Sequence, residues 1–241
     1  MLKIFLLLIL LSSCGDENKN SDQIVVGMSM DFPPFEFIQN GKPAGFEVDL
    51  INEVGQILNK KIKFIDIDFP GIIGNLNAGK IDVGVSGFNI TDERKKSVDF
   101  IDCYYYPKIA SLHHKNITIN TEDDLKNKRI GVQTGTTMEI YLKKLQKKYP
   151  SMTIKSLTKN TLLIQELKLN RIDSLILENN QAIEFTRINP ELFTYSIFEE
   201  NNNECYSMIF KHKSDLKNQI SDAIIQLKTS GKLKDLENKW L

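Results

Sequence analysis

Two apolar spacings alternate along this chain. Residues 24–30 form a β-branched apolar run opening on Val25-Val26-Gly27. Residues 46–58 place Phe46, Leu50, Val54 and Leu58 one every four positions, which marks a helix face. Residues 61–68 set Ile62, Phe64, Ile65 and Ile67 against charge and predict a strand. A short helix over 71–78 and a strand of small and apolar residues over 82–86 complete the round. A second round predicts strands at 129–133, 153–156 and 174–177, and helices at 136–148, 161–169 and 179–187. Two helices, 214–228 and 232–240, are broken at Gly231. Such βαβ alternation predicts an α/β protein with a mostly parallel sheet covered by helices.

The two rounds echo each other. Asn75-Leu76-Asn77-Ala78-Gly79-Lys80-Ile81-Asp82 ends one helix and starts a strand, and Glu166-Leu167-Lys168-Leu169-Asn170-Arg171-Ile172-Asp173 does the same later. In each, a Gly or Asn stands where a helix closes through a left-handed residue. A basic residue, an Ile and an Asp then lead into an apolar strand. Two copies of one α/β unit predict two similar lobes.

The first residues follow a different rule. Met1-Leu2-Lys3, the apolar run 4–11 and Ser12-Ser13-Cys14 read as a short export signal, too short to stay as a membrane span. The ending Leu11-Ser12-Ser13-Cys14 resembles a bacterial lipobox. That resemblance implies cleavage after residue 13, a lipid on Cys14 and a flexible leash over 14–22. The expected location is outside the cytoplasm, tethered to a bacterial membrane and facing the periplasm or cell exterior.

Charge narrows the partners. The 31 Lys and Arg balance the 31 Asp and Glu, which gives no case for nucleic acid or for a polybasic membrane patch. The three cysteines are too few for a disulfide scaffold and lack zinc-ligand spacing. His113 and His114 are adjacent and would face opposite ways on a strand, so no metal site and no cofactor is expected.

Several motifs, in order, carry a family resemblance. Asp31-Phe32-Pro33-Pro34-Phe35-Glu36 and Gly45-Phe46-Glu47-Val48-Asp49-Leu50 come first. Asp68-Phe69-Pro70-Gly71-Ile72-Ile73 and Ser86-Gly87-Phe88-Asn89-Ile90-Thr91-Asp92-Glu93-Arg94 follow. Gly131-Val132-Gln133-Thr134-Gly135-Thr136-Thr137 and the Gly231-Lys232-Leu233 junction complete the set. Everything after the leash resembles family 3 solute-binding proteins, the amino-acid receptors of bacterial ABC importers. The resemblance implies two Rossmann-like lobes joined by two hinge strands, the type II periplasmic binding protein fold. Lobe 1 would comprise residues 23–106 plus 206–241, and lobe 2 residues 107–205. It implies a monomer that closes on one free amino acid and delivers it to permease subunits, touching the membrane only through its lipid.

The residues themselves suit that task. Open α/β sheets bind ligands beyond the carboxyl ends of their strands, where Ser86, Gly87 and Asn89 stand. Thr91 reads as a helix N-cap, with Arg94 one turn in and able to fork a carboxylate. Gly135, Thr136 and Thr137 repeat a strand–turn–helix start whose free N–H groups suit an anion. The resemblance adds Gln133 to the site, assigns Glu178 to the ligand's α-ammonium, and sets Phe32 and Phe69 against its side chain. Phe35 reads as core. Glu stands at 178 where Asp is usual, and Asn at 89 where Ser or Thr is commoner.

The overall resemblance runs to glutamine and to lysine/arginine/histidine receptors, but the side-chain positions differ. Ser29 stands at an often acidic position, and Gln133 and Leu177 at positions that can carry Lys and His. With no extra cation for a side-chain carboxylate, a neutral polar or basic ligand is expected, and Asp31 and Glu47 are the acids able to serve a basic one. Two alternatives stand beside the receptor. One is an exported cyclohexadienyl dehydratase-like enzyme with Glu178 as general acid; the other is a stand-alone sensor input. Finally, the resemblance places residues 105–107 on the first hinge crossing and 204–206 on the return. Cys103 and Cys205 then flank neighbouring strands, either bonded in an oxidising compartment or left as buried thiols.

Overall fold

The computed structural model describes residues 22–198 and 204–241, so the export signal, Cys14 and the leash lie outside the described residues. In the first half, strands run at Gln23–Met28 (β1), Asp31–Phe32 (β2), Glu36–Gln39 (β3), Lys42–Ala44 (β4), Lys61–Asp66 (β5), Val83–Asn89 (β6) and Asp99–Phe100 (β7). Helices are Phe46–Ile57 (α1), Ile72–Asn77 (α2) and Asp92–Lys95 (α3). In the second half, strands are Ile109–His114 (β8), Arg129–Gln133 (β9), Thr153–Leu157 (β10), Ser174–Glu178 (β11), Phe193–Ile197 (β12) and Tyr206–Phe210 (β13). Helices are Thr137–Lys148 (α4), Asn160–Lys168 (α5), Asn179–Ile188 (α6), Asp215–Thr229 (α7) and Lys232–Trp240 (α8).

Two five-stranded sheets result, ordered β5-β1-β6-β13-β7 and β10-β9-β11-β8-β12. In each, two neighbouring pairs are parallel and two antiparallel in matching positions, so one strand, β13 or β8, runs against the other four. The expected mostly parallel sheet is therefore two mixed sheets, because each sheet also takes strands whose neighbours are distant in sequence. β8 runs antiparallel beside β11, and β13 antiparallel beside β6.

The internal echo has a physical basis. Gly79 at φ +70° and Asn170 at φ +55° are the left-handed residues that end the two preceding helices. The Asp that follows then ties the third strand of each sheet to the second. Asp82 accepts from Val25 N at 2.9 Å and Asp173 from Arg129 N at 2.8 Å. Each also donates its own N–H to that residue's carbonyl, at 2.8 and 2.7 Å.

Apolar clusters cover both faces of both sheets. α1, α7 and α8 pack on one face of the first, where Phe46, Leu50, Val54, Ile224 and Leu236 are buried; Phe35, read as core, is fully buried there. The opposite face holds Ile72, Leu76 and Phe88. In the second sheet Leu142 and Leu145 of α4 lie on one side, and Leu163 and Phe185 on the other. On β8 the paired histidines do face opposite ways. His113 is buried beside Ser111 at 3.2 Å, and His114 caps the Leu167 carbonyl at 2.7 Å. Among the described residues no group of three or more His, Cys, Asp or Glu could hold a metal, and no helix is long and apolar enough to cross a membrane.

Two segments connect the sheets side by side. Tyr105 bridges Tyr206, and Tyr104 N donates to Tyr206 O at 3.0 Å. Beside them Cys103 and Cys205 are joined by a disulfide with Cα atoms 5.6 Å apart. The bond closes a loop of 102 residues in sequence, and constraining a loop of that size in the unfolded chain is worth about 2–4 kcal/mol. The double variant Cys103→Ser/Cys205→Ser should unfold at clearly lower urea concentration. Equal midpoints, or two alkylatable thiols in the folded wild type, would contradict the bond.

Candidate functional site

A narrow cavity lies between the carboxyl-terminal strand ends of the two sheets. Nine of the ten residues expected in a ligand site line it: Phe32, Phe69, Ser86, Gly87, Asn89, Arg94, Gln133, Thr136 and Thr137. Ser29 and Leu177 line it too. Reading the sequence missed Asn160, Gln181 and Tyr206, together with Met138 and Ile176. The first two open α5 and α6, so their polar side chains read as ordinary first-turn residues. Asn160 is set there where its N–H meets Asp31 of the other lobe, and Gln181 where its N–H is capped by Glu178.

Arg94 is the one charged residue in that lining. Thr91 caps α3, as its position suggested, by accepting from Arg94 N at 3.2 Å. The guanidinium lies 5.4 Å from the Phe69 ring centre and 5.2 Å from that of Phe88, and the two rings stack at 4.7 Å. Its Nη1 donates to Asn89 O at 2.8 Å and its Nη2 to Gly135 O at 3.0 Å. The second bond crosses from one lobe to the other. Burial lowers the Arg94 pKa to about 10, with Glu204 and Tyr206 opposing the shift, so the group stays charged at neutral pH.

The facing wall is the start of α4. Thr136 caps it by accepting from Glu139 N at 3.2 Å, and Gly135 turns at φ +82° with its Cβ position 3.3 Å from Pro70 of the other lobe. First-turn N–H groups at such a start suit a carboxylate. Gln133 is held by its Nε2 on Thr158 O at 3.0 Å. Asn89 differs from expectation. Its Nδ2 donates to Thr137 Oγ1 at 2.8 Å and to Glu204 Oε2 at 2.7 Å, which leaves its Oδ1 buried and unpartnered. The amide is thus already committed as a donor, a consequence of lobe contact that β6 alone does not show.

Glu178 is the tenth expected residue, and the structure places it outside the cavity lining. It is fully buried, caps α6 through Gln181 N at 3.1 Å and accepts from Tyr105 Oη at 3.1 Å. Burial raises its pKa to about 8, against the lowering effect of those hydrogen bonds. The two acids considered for a basic side chain are also turned away. Asp31 accepts from Ser29 Oγ at 2.8 Å and from Asn160 N of the other lobe. Glu47 accepts from Gly87 N at 3.0 and 3.1 Å and from Tyr104 Oη. Beside the cavity, Lys159 of the second lobe pairs with Asp68 of the first at 3.0 Å.

The cavity floor rests on a pair of carboxyls. Gly87, at φ +56°, leaves no room for a Cβ, which would sit 2.9 Å from Phe32 Cε1. Ser86 Oγ donates to Glu36 Oε1 at 2.5 Å. Glu36 and Glu47 are fully buried and bonded to each other, with no donor facing Glu36 Oε2. Burial first, then the neighbouring Glu47, push the Glu36 carboxyl well above its usual 4.5. Glu36 therefore carries the proton and donates it to Glu47.

The sign of the pH dependence follows. Above the usual carboxylate value the unfolded chain releases this proton while the folded chain keeps it. The contribution to stability is complete below that value and is lost as pH rises toward the folded pKa. Glu36→Gln preserves one acceptor and one donor without the titration. Its urea midpoint should gain on wild type as pH rises above the usual carboxylate value of 4.5. Parallel profiles for the two proteins would contradict the shared proton.

Comparison with known proteins places this geometry. Residues 24–241 match the family described as bacterial extracellular solute-binding proteins, family 3. The chain is 32% identical over 237 residues to the arginine-binding extracellular protein ArtP of Bacillus subtilis (strain 168), covering 95% of this chain and 92% of that one. The fold superposes on an ancestral arginine-binding protein bound to arginine with a TM-score of 0.86 at 35% identity, covering 91% and 98% of the two chains. An ancestral arginine-binding protein bound to glutamine gives 0.85 at 34% identity, over 91% and 98%.

Proposed function

The chain belongs to the bacterial extracellular solute-binding proteins, family 3, and on that premise we propose that it is an amino-acid receptor that closes on a free L-amino acid and delivers it to an ABC importer. Arg94 carries this reading. A half-buried guanidinium, held at the lobe boundary with aromatic rings beneath it and a helix start opposite, is built to bind an α-carboxylate. Phe32 and Phe69 offer flat apolar walls to the ligand's stem. Asn89 Oδ1 is the unpartnered acceptor in the lining, suited to an ammonium group. Glu178 acts from behind as the cap that fixes Gln181 and Tyr105.

The rest of the lining favours a neutral polar or a basic side chain. Gln133, Asn160 and Gln181 bring amides to the cavity, and Asn160 Nδ2 and Gln181 Nε2 are buried without partners. They answer side-chain carbonyl or ring-nitrogen groups. A second carboxylate on the ligand would find no cation besides Arg94 in the lining. A proton-donating role for Glu178 toward a bound molecule is disfavoured, because both its oxygens are engaged outside the lining.

Losing the bidentate partner of a desolvated carboxylate costs about 2–5 kcal/mol. A thermal-shift screen of the common amino acids should identify a stabilising ligand, and Arg94→Ala should bind it at least tenfold more weakly by calorimetry, with the far-ultraviolet circular dichroism unchanged. Near-normal affinity in that variant would remove Arg94 from the site.

Export and anchoring complete the proposal, resting on the apolar run at 4–11 and the Leu11-Ser12-Ser13-Cys14 ending. Wild type should partition with membranes and into detergent, and Cys14→Ser should be released or left unprocessed. Identical soluble fractionation of both forms would contradict the lipid anchor.

A further inference from the structure

The return crossing places a carboxylate where the two lobes meet. Glu204 precedes Cys205, whose disulfide to Cys103 fixes the return crossing to the outgoing one. Glu204 Oε2 accepts from Asn89 Nδ2 at 2.7 Å, at the end of β6 in the first lobe, and from Thr137 Oγ1 at 2.9 Å, at the start of α4 in the second. Asn89 Nδ2 also donates to Thr137 Oγ1 at 2.8 Å. The ring is closed: one amide supplies two N–H groups, the threonine passes its single proton on, and the acid takes both. Neither Asn89 Nδ2 nor Thr137 Oγ1 then has a proton left for a ligand.

The same acid answers a charge problem. Arg94 is half-buried with its charge partly desolvated, and its two described bonds go to neutral carbonyls, Asn89 O and Gly135 O. A buried cation without a counter-charge is costly, whereas an opened, solvated guanidinium is not. Glu204 is the leading favourable electrostatic partner of Arg94. Its carboxylate thus opposes the desolvation that closure imposes on Arg94, and the bonds that Asn89 of the first lobe gives to Glu204 and Thr137 can exist only when the lobes are together.

We propose that Glu204 is a closure latch: a positioning residue that holds Asn89, Thr137 and Arg94 in the closed arrangement and so sets how long a bound amino acid is retained. This rests on the receptor reading above. A latch that acts only in the closed state governs release more than capture.

Stopped-flow binding and small-angle scattering on the full folded chain test it. Glu204→Ala should release the amino acid at least fivefold faster with association changed less than twofold. Glu204→Gln, which keeps an acceptor for Thr137 but not the charge, should fall between. Adding Thr137→Val to Glu204→Ala should change release far less than Thr137→Val does alone, because both break one ring. Without ligand, Glu204→Ala should show a larger radius of gyration than wild type. Unchanged release would overturn the latch, and slower release would show instead that Glu204 repels the ligand's carboxylate. Should wild type bind no amino acid, the receptor reading fails by itself and the ligand-free scattering comparison still decides the latch, equal radii refuting it.

Discussion

A single half-buried cation organises this molecule. Arg94 reaches from the first lobe to the Gly135 carbonyl of the second, over two stacked rings. Removing a guanidinium from water is unfavourable unless its donors and its charge are met. The short capped helix that presents it, the turn at Gly135, the rings of Phe69 and Phe88 and the acid of the return crossing each meet part of that demand. Closing the lobes and satisfying Arg94 are therefore one event. A ligand carboxylate that supplies the missing charge makes closure more favourable.

The polar layer behind the cavity serves this geometry. Glu36 and Glu47 share a proton to hold Ser86 and Gly87, and Gly87 lets Phe32 and Tyr206 approach closely. Asp31 ties Ser29 to Asn160 across the cleft, and Lys159 ties Asp68 beside it. Asp31 and Glu47 look available for a cationic ligand when read one at a time. In the folded chain their oxygens are occupied, and what faces the cavity is a set of amides.

The sequence made the local and the repeated legible. Four-residue apolar spacing located α1, and paired helix–strand junctions ending in Asp82 and Asp173 exposed the duplicated lobe. Strand-end motifs located Ser86, Gly87, Asn89, Arg94 and Thr136 because such ends are where open α/β sheets bind. Long-range pairing was not legible. β8, β12 and β13 are short apolar runs whose partners lie far along the chain, and the small sheet of β2, β3 and β4 is interrupted by prolines. Glu178 was correctly set at a strand end, but its direction is decided by Tyr105 of the crossing and by the first turn of α6. Asn160 and Glu204 gain their roles only from contact between lobes.

The central claim is that Arg94 receives the α-carboxylate while the lobes close around it. A crystal structure of the full chain with its tightest-binding amino acid tests this most directly. The account predicts the carboxylate within about 3 Å of the Arg94 guanidinium and of N–H groups opening α4, with Glu178 still capping α6. A closed complex in which the ligand's carboxylate lies elsewhere and Arg94 keeps only its bonds to Asn89 and Gly135 would contradict it.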